Sequence, residues 1–309
     1  MGAINKIPGV SGGIVAIIFG FYEKLILSFS RFDINSLVIL RKEGFKSFYK
    51  HINGEFLALL LFGIIISFFS TSLIIGYFLE NHFAQILGFF FGMVFFSVTI
   101  IFKKISNVNF YNILFIASGF IIGIAFFFIS PGNEILNPYF IFFCGIVSVS
   151  GMVIPGLSGS MILLALGNYK LLLIDSVNAL YYTIIEIIMG YGLKNLDLEN
   201  KNLIFLLLVF AFGSTIGLII FSKVLNLLIV KYKDSIMSSL VGFVSGSVGS
   251  VWPWKDGSYD SNIGSLFLEL NNNFFYYPNN LNIENITILT SILLGVLIVY
   301  IIEKFNVKN

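Results

Sequence analysis

Apolar residues run uncharged through six stretches of the chain, at 56–79, 83–102, 111–130, 203–222, 236–251 and 286–302. Each approaches the ~20 residues an α-helix needs to cross a hydrocarbon core, so six full spans are predicted. The shortest, 236–251, is rich in Gly and Ser and runs into Trp252-Pro253-Trp254, whose amphipathic rings are expected at the headgroup level. A further uncharged stretch, 135–169, is too long for one span and contains Pro155-Gly156, where a helix cannot continue smoothly. It is predicted to be a re-entrant hairpin, with 138–153 descending and 158–169 leaving. Its tip must be buried in protein, because bare backbone cannot face lipid.

That break has a twin. Ile7-Pro8-Gly9-Val10-Ser11-Gly12-Gly13 returns 147 residues on as Ile154-Pro155-Gly156-Leu157-Ser158-Gly159-Ser160, and Gly20 and Tyr22 recur in step as Gly167 and Tyr169. Two repeats are therefore expected within one transmembrane domain, 1–134 and 135–309. Each comprises a Pro-Gly-x-Ser-Gly hairpin, a short amphipathic connector and three full spans. An odd number of crossings sends the second copy in from the opposite side, so the repeats should be inverted. Moved back by the same offset, Pro138 falls ahead of Met1, and the descending arm of the first hairpin is expected to be truncated.

Composition fixes the class. With 57% hydrophobic and 11% charged residues and a mean hydropathy of +0.95, the 309 residues have too little polar surface to cover a soluble globule. An all-α polytopic, multi-pass membrane protein is expected. The single Cys144 excludes an internal disulfide and any Cys-rich metal site, and nothing calls for a metal or cofactor. The net charge of +2 gives no sign of a nucleic-acid partner, because the basic residues fall in loops between apolar spans.

Those loops orient the chain by the excess of Lys and Arg on the cytoplasmic side. Segment 31–53 holds Arg31, Arg41, Lys42, Lys46 and Lys50 against Asp33 and Glu43, a net +3, and is predicted to be cytoplasmic. Alternation then puts 103–110, 223–235 and 303–309 on the same side, all net positive. The outer segments carry Glu80, Glu134, Asp197, Glu199, Asp256, Asp260, Glu269 and Glu284, opposed only by Lys194, Lys201 and Lys255.

Pro fixes φ and Gly allows close approach, so Pro8-Gly9 and Pro155-Gly156 make sharp breaks from which a helix can restart, with Ser11 and Ser158 as natural N-caps. The first-turn N–H groups of such helices lack intrahelical partners and favour an anion. Two of these ends brought together would cradle a phosphate.

At these residues the chain resembles the polyprenyl-phosphate transporter family, long known only as a membrane domain of unknown function. The matching pieces are Asn5-Lys6-Ile7-Pro8-Gly9-Val10-Ser11-Gly12-Gly13 with Gly20-Phe21-Tyr22-Glu23, the second motif with Gly167-Asn168-Tyr169, and Gly246-Ser247 with Trp252-Pro253-Trp254. The resemblance implies translocation of undecaprenyl phosphate, the carrier lipid of cell-envelope synthesis, from the outer to the cytoplasmic leaflet for recycling. It also implies that Pro8, Gly9, Ser11, Gly12, Gly13, Pro155, Gly156, Ser158, Gly159 and Ser160 bind the phosphate. Lys6 departs from the apolar residue expected there.

Each candidate has a plainer reading. Gly and Ser clusters in membrane helices often only let helices pack closely, but a packing motif need not recur with Pro, Gly and Tyr in register. Lys6 either contacts the phosphate or snorkels to the interface. Glu23 and Lys170 align by the offset, one residue past each repeated Tyr. They are either a gate that brings opposite charges into one cavity or headgroup-level residues at the hairpin ends. Asp175 and Glu186 flank the second connector, and Glu186 is the better carrier of a coupling proton if buried; Na⁺ is the other coupling ion considered. The connector at 31–50, with Phe, Leu and Ile among basic residues, suggests a helix lying on the anionic inner leaflet.

The competing function is an intramembrane serine hydrolase, since Gly9-Val10-Ser11-Gly12-Gly13 matches the Gly-x-Ser-x-Gly nucleophile pattern. Only His51 and His82 exist as imidazole bases, both expected at the surface, so the chain is expected not to be an enzyme. A pyrophosphatase would need clustered carboxylates, His or Arg, and none lies within the spans. A channel would need a row of polar residues along a span.

Overall fold

Lipid offers the backbone no hydrogen-bond partner, and every regular element among the described residues is helical. A computed structural model describes residues 1, 11–127, 132–189, 197–254, 278, 280 and 282–306. Lys6, Pro8 and Gly9 lie outside the described residues, as does the remainder of the first Pro-Gly break ahead of Ser11. In chain order come α1 (Gly12–Ile18), α2 (Tyr22–Ser30), α3 (Ile34–Glu43), α4 (Phe45–His51), α5 (Gly54–Asn81), α6 (Phe83–Phe102) and α7 (Phe110–Phe127). These are followed by α8 (Pro138–Val153), α9 (Gly159–Ala165), α10 (Ser176–Ile188), α11 (Leu198–Lys231), α12 (Lys233–Ser247) and α13 (Ile283–Asn306). A π-helical turn, Leu171–Asp175, leads into α10, and a 3₁₀ turn, Val248–Val251, closes α12.

Three helix pairs build the bundle, α7 with α12, α6 with α13, and α8 with α11. All three are glycine seams. A Cβ on Gly119 or Gly123 would overlap or crowd the carbonyls of Ser239 and Phe243, and one on Gly242 or Gly246 those of Ile116 and Phe120. Gly92 and Gly295 hold α6 on α13 in the same way, and Gly145, Gly213 and Gly217 hold α8 on α11. Backbones approach this closely only where side chains are missing, which is how helices associate in a solvent that gives no hydrophobic drive. In each pair the contacts advance together along both chains, so the partners run parallel.

The ends sort as the charges predict. Lys103 pairs with Glu303 at 2.8 Å, and the Ser106 and Asn107 amides donate to the Asp234 carboxylate at 3.0 and 3.2 Å. The loops assigned to the cytoplasm thus meet at one end of the bundle, and α12 starts where α6 finishes. At the far end Gln85 donates to Thr287 at 3.2 Å, joining the starts of α6 and α13.

Six spans are expected, and among the described residues four helices are long and apolar enough to cross a membrane, Phe83–Phe102, Leu171–Ile188, Leu198–Lys231 and Ile283–Phe305, with a fifth if Phe45–His51 and Gly54–Ser67, bent by 72°, count as one. The predicted 236–251 span is helical to its end, as α12 to Ser247 and then as the 3₁₀ turn to Val251. It is largely buried against α7 and α6, a core helix rather than a lipid-facing one. The connector after the second motif is longer than expected, 18 residues. It runs against the first turns of α11 in the opposite direction: Leu173 shares a cavity with Leu207 and Phe210, and Tyr182 shares one with Asn200 and Leu203. Trp254 is buried and donates to Asn285 at 2.8 Å, and Trp252 packs edge-on against Phe91, so these rings are anchored to α13 and α6.

Candidate functional site

Pro138 opens α8 at its first turn, and the Asn137 side chain caps it through the Tyr139 amide. Pro155 ends it, because the residue before a proline is pushed out of the helical region, and Ile154 is extended (φ −90°, ψ 116°). Gly156 then turns the chain at φ +86°, backed against Val244 and Ser247 of α12. From there α9 rises, so close to α8 that a Cβ on Gly159 would stand 2.6 Å from the Ser148 carbonyl oxygen. The chain returns to where it began: the Gly132 amide donates to the Leu164 carbonyl at 3.2 Å. Asn168, fully buried, donates to the Ile135 carbonyl at 2.8 Å and accepts from the Ile135 amide at 3.0 Å. Residues 132–168 therefore form a helix–break–helix hairpin closed at its mouth.

The first motif repeats this geometry over its described part. Ser11 and Ser158 are both extended N-caps (φ −99° and −96°), and α1 and α9 are each seven residues long. Both helices end on a glycine in the left-handed region, Gly20 at φ +75° and Gly167 at φ +82°. The closing hydrogen bonds match at the same offset, Phe21 N to Ala16 O at 2.9 Å and Asn168 N to Leu163 O at 3.0 Å.

The two motifs meet. The Ser11 hydroxyl donates to the Gly151 carbonyl at 2.9 Å, with the Ile154 carbonyl at 3.4 Å, and Ser11 Oγ accepts from the Gly13 amide at 3.1 Å. Tyr22, fully buried, donates its hydroxyl to the Val153 carbonyl at 2.9 Å. The carbonyls that Pro155 leaves without helical partners are thus satisfied from the first motif. The second motif is used differently: Ser158 makes no cap bond, and its hydroxyl lies 2.7 Å from that of Ser160.

Beside this junction is a cavity of about 470 Å³ lined by Ser11, Ser148, Ser158, Ser160 and Ser214, with Gly151 and Gly159. Its remaining walls are Val149, Leu163, Leu173, Leu207, Phe210 and Ala211. Ser214 stands midway along the 34 residues of α11, so the cavity lies at mid-depth of the longest helix. No charged side chain lines it among the described residues. The hydroxyls of Ser148, Ser158, Ser160 and Ser214 on apolar walls can replace water's hydrogen bonds to an oxyanion while the walls admit a hydrocarbon.

Of the residues singled out in the sequence, Ser11, Ser158, Gly159 and Ser160 line this cavity, and Gly12, Gly13, Pro155 and Gly156 are buried beside them. Glu23 and Lys170 do not pair with each other. Glu23 meets Lys233 at 3.1 Å at the end where the basic loops gather, near Lys104, whose ammonium is held below its ordinary value by burial against the opposing pull of Glu23. Lys170 meets Asp175 at 2.9 Å in a separate polar cavity of about 480 Å³ with Glu134 and Glu199. The gate that would join them in one cavity is therefore corrected, because each finds a nearer partner of opposite charge. Glu186 lies outside the serine-lined cavity, and its Oε2 is buried without a hydrogen-bond partner among the described residues. Ser148, Ser214, Tyr22 and Asn168 went unassigned in the sequence. Small polar residues beside Gly151 and Gly213, and the recurrence of Tyr22, are the signals that point to them. Among the described residues no cluster of three or more His, Cys, Asp or Glu side chains is placed to hold a metal.

A family model described as undecaprenyl phosphate translocase-like matches residues 1–265. A protein of Vibrio cholerae named polyprenyl-phosphate transporter is 31% identical over 258 residues, 83% of this chain and 76% of that protein. One of the same name from Staphylococcus aureus is 27% identical over 270 residues, 82% of this chain and 83% of the relative. No solved structure matches. By the match over most of its length, this chain belongs to the undecaprenyl phosphate translocase-like family of membrane proteins.

Proposed function

We propose that this chain carries a polyprenyl phosphate, foremost undecaprenyl phosphate, from the outer to the cytoplasmic leaflet of the inner membrane, returning the carrier lipid to envelope synthesis. The observation that carries this is the meeting of the two motifs, Ser11 on the Gly151 carbonyl at 2.9 Å, beside a serine-lined cavity at mid-depth. The relatives' name, polyprenyl-phosphate transporter, supports the same substrate class.

The chief barrier to flipping such a lipid is its phosphate, which in hydrocarbon would lose every hydrogen bond it has in water. Hydroxyls of Ser158, Ser160, Ser148 and Ser214, with first-turn amides of the second motif, supply replacements, while the prenyl tail leaves between apolar walls. Lys6, close in sequence to the first break, is the one cation suited to offset the phosphate charge. Repeats 1–134 and 135–309 of inverted orientation fit the helix directions: α6, moved on by 147, covers 230–249, and α12 in that range starts at the end where α6 finishes. On this basis the hairpin at 132–168 is re-entrant, and rocking of one repeat against the other exposes the cavity to each side in turn. A proton carried by Glu186 is the favoured coupling, for its unpartnered buried oxygen.

A serine hydrolase through Ser11 has no support in the geometry. The hydroxyl is spent on backbone carbonyls, while His51 ends α4 and His82 joins α5 to α6. Reconstitution in vesicles holding undecaprenyl phosphate, followed by the accessibility of its headgroup to an external phosphatase, tests the proposal. Intact protein should speed equilibration between leaflets, and Ser158→Ala with Ser160→Ala should slow it. Equal rates for intact protein and empty vesicles would reject it.

A further inference from the structure

Between the first motif and the first long helix, α3 and α4 stand away from the bundle. Ser36 is the only buried residue of α3 and α4 has none; α3 packs on α4, and α4 on the start of α5. Gly44, at φ +85°, joins the two. Phe45 lies 6.3 Å from Phe48 and 5.9 Å from Tyr49, ring centre to ring centre, and Phe32 closes the group at 6.4 Å from Phe48. Outward stand Ile34 (80% exposed), Leu37 (58%), Val38 and Phe45 (69%).

Two facts decide what covers this apolar face. First, α4 meets α5 at 72°, so with α5 crossing the bilayer α4 lies nearly in its plane. The pair is not a single broken span, because Lys46 and Lys50 are exposed on α4 and each would cost roughly 3 kcal/mol at the membrane centre. Second, Arg41, Lys42, Lys46 and Lys50 are all exposed and have no ion-pair partner among the described residues. The fifth basic residue is used internally: Arg31 donates to the His51 carbonyl at 2.8 Å, fixing the elbow to α2. An apolar face with unpaired cations, lying in the membrane plane on the side where the other basic loops gather, is complementary to anionic phospholipid headgroups.

The geometry points to α3 and α4 as an in-plane foot that binds the anionic lipids of the leaflet facing the basic loops. Ile34, Leu37, Val38 and Phe45 enter the acyl boundary, and Arg41, Lys42, Lys46 and Lys50 hold the phosphates. The foot is stapled to α2 at two points, Arg31 to the His51 carbonyl and Asn53 to Ser28 at 2.9 Å, and α2 bears Tyr22, which braces the second motif. Lipid binding at the foot is therefore mechanically connected to the cavity, and it does not depend on what the cavity carries.

The test uses the full chain in vesicles of phosphatidylcholine, with and without phosphatidylglycerol. Cys144 is buried and unreactive by position, so Leu37→Cys can be labelled with an environment-sensitive fluorophore, with Asn107→Cys as a loop control. The Leu37 probe should shift to the blue and be quenched by lipids brominated near the headgroup, more so with phosphatidylglycerol, while the Asn107 probe should not. Neutralising Arg41, Lys42, Lys46 and Lys50 to Gln should weaken the phosphatidylglycerol preference about fivefold per residue, and high salt should do the same. A Leu37 probe with the spectrum of water in both vesicles would overturn the proposal. So would a phosphatidylglycerol preference unchanged by the four substitutions.

Discussion

The hydroxyl of Tyr22 donates to the carbonyl of Val153 at 2.9 Å, joining residues 131 positions apart where α8 ends ahead of Pro155. Tyr22→Phe keeps the ring and removes only this bond, leaving a buried carbonyl unsatisfied at a cost of about 1–3 kcal/mol. The variant should melt at lower temperature in detergent and transport more slowly, and wild-type values in both measurements would show that the brace carries no load.

Ser11 and Ser158 occupy equivalent positions and do different things. Ser11 is spent on Gly151 and Gly13, whereas Ser158 and Ser160 share one short contact facing the cavity. Ser11→Ala should therefore lower thermal stability first. Ser158→Ala with Ser160→Ala should leave melting unchanged and weaken polyprenyl phosphate binding roughly tenfold, the loss of one charge-assisted hydrogen bond. Binding titration beside a melting curve separates the two.

Glycines in this chain fall into two kinds with opposite tolerance. Gly242→Ala drives a methyl into the Ile116 carbonyl across the α7–α12 seam and should destabilise by about 1–3 kcal/mol. Gly63, within α5, has nothing within 4 Å of an added methyl, and Gly63→Ala should be neutral or stabilise by about 0.5–1 kcal/mol. Thermal melts of the two single variants, run side by side, check the contrast.

Glu186 presents a buried oxygen with no partner among the described residues. If it carries a coupling proton, Glu186→Gln should flatten the pH dependence of transport in vesicles while leaving polyprenyl phosphate binding intact. A profile that keeps the wild-type shape would remove Glu186 from the cycle.

Hydrogen bonds from the Ser106 amide and then the Asn107 amide hold the Asp234 carboxyl below its ordinary value at the start of α12, ahead of the apolar run. A carboxyl depressed in the folded state stabilises above its unfolded pKa, and that contribution is lost as pH falls through the folded value. Asp234→Asn should thus melt below wild type at neutral pH and converge with it in acid, as melts across a pH series would show.

Much of this was legible in the sequence because lipid punishes charge. The uncharged run at 83–102 is α6 to the residue, and 203–222 and 286–302 lie inside α11 and α13. The site serines were legible because a motif with Pro, Gly and Ser recurred in register. What escaped depends on partners distant in the chain. Nothing in Gly119, Gly123, Gly242 and Gly246 says that they face one another, since a glycine spacing marks a seam but not its mate. The brace from Tyr22 needs a carbonyl supplied by the other motif, and Glu23 and Lys170 looked like partners only until Lys233 and Asp175 came nearer.

The parallel seams have a consequence for how the protein is made. The glycine groove of α6 is filled by α13 and that of α7 by α12, so each of these early helices leaves the ribosome with its mate not yet synthesised. Until those later helices are made, the nascent chain must be held in the bilayer with open grooves, guarded by lipid or by the insertion machinery, and each late arrival completes a helix laid down long before it. A truncation ahead of α13 would leave α6 without its mate and so impair the early part of the molecule, far from the cut.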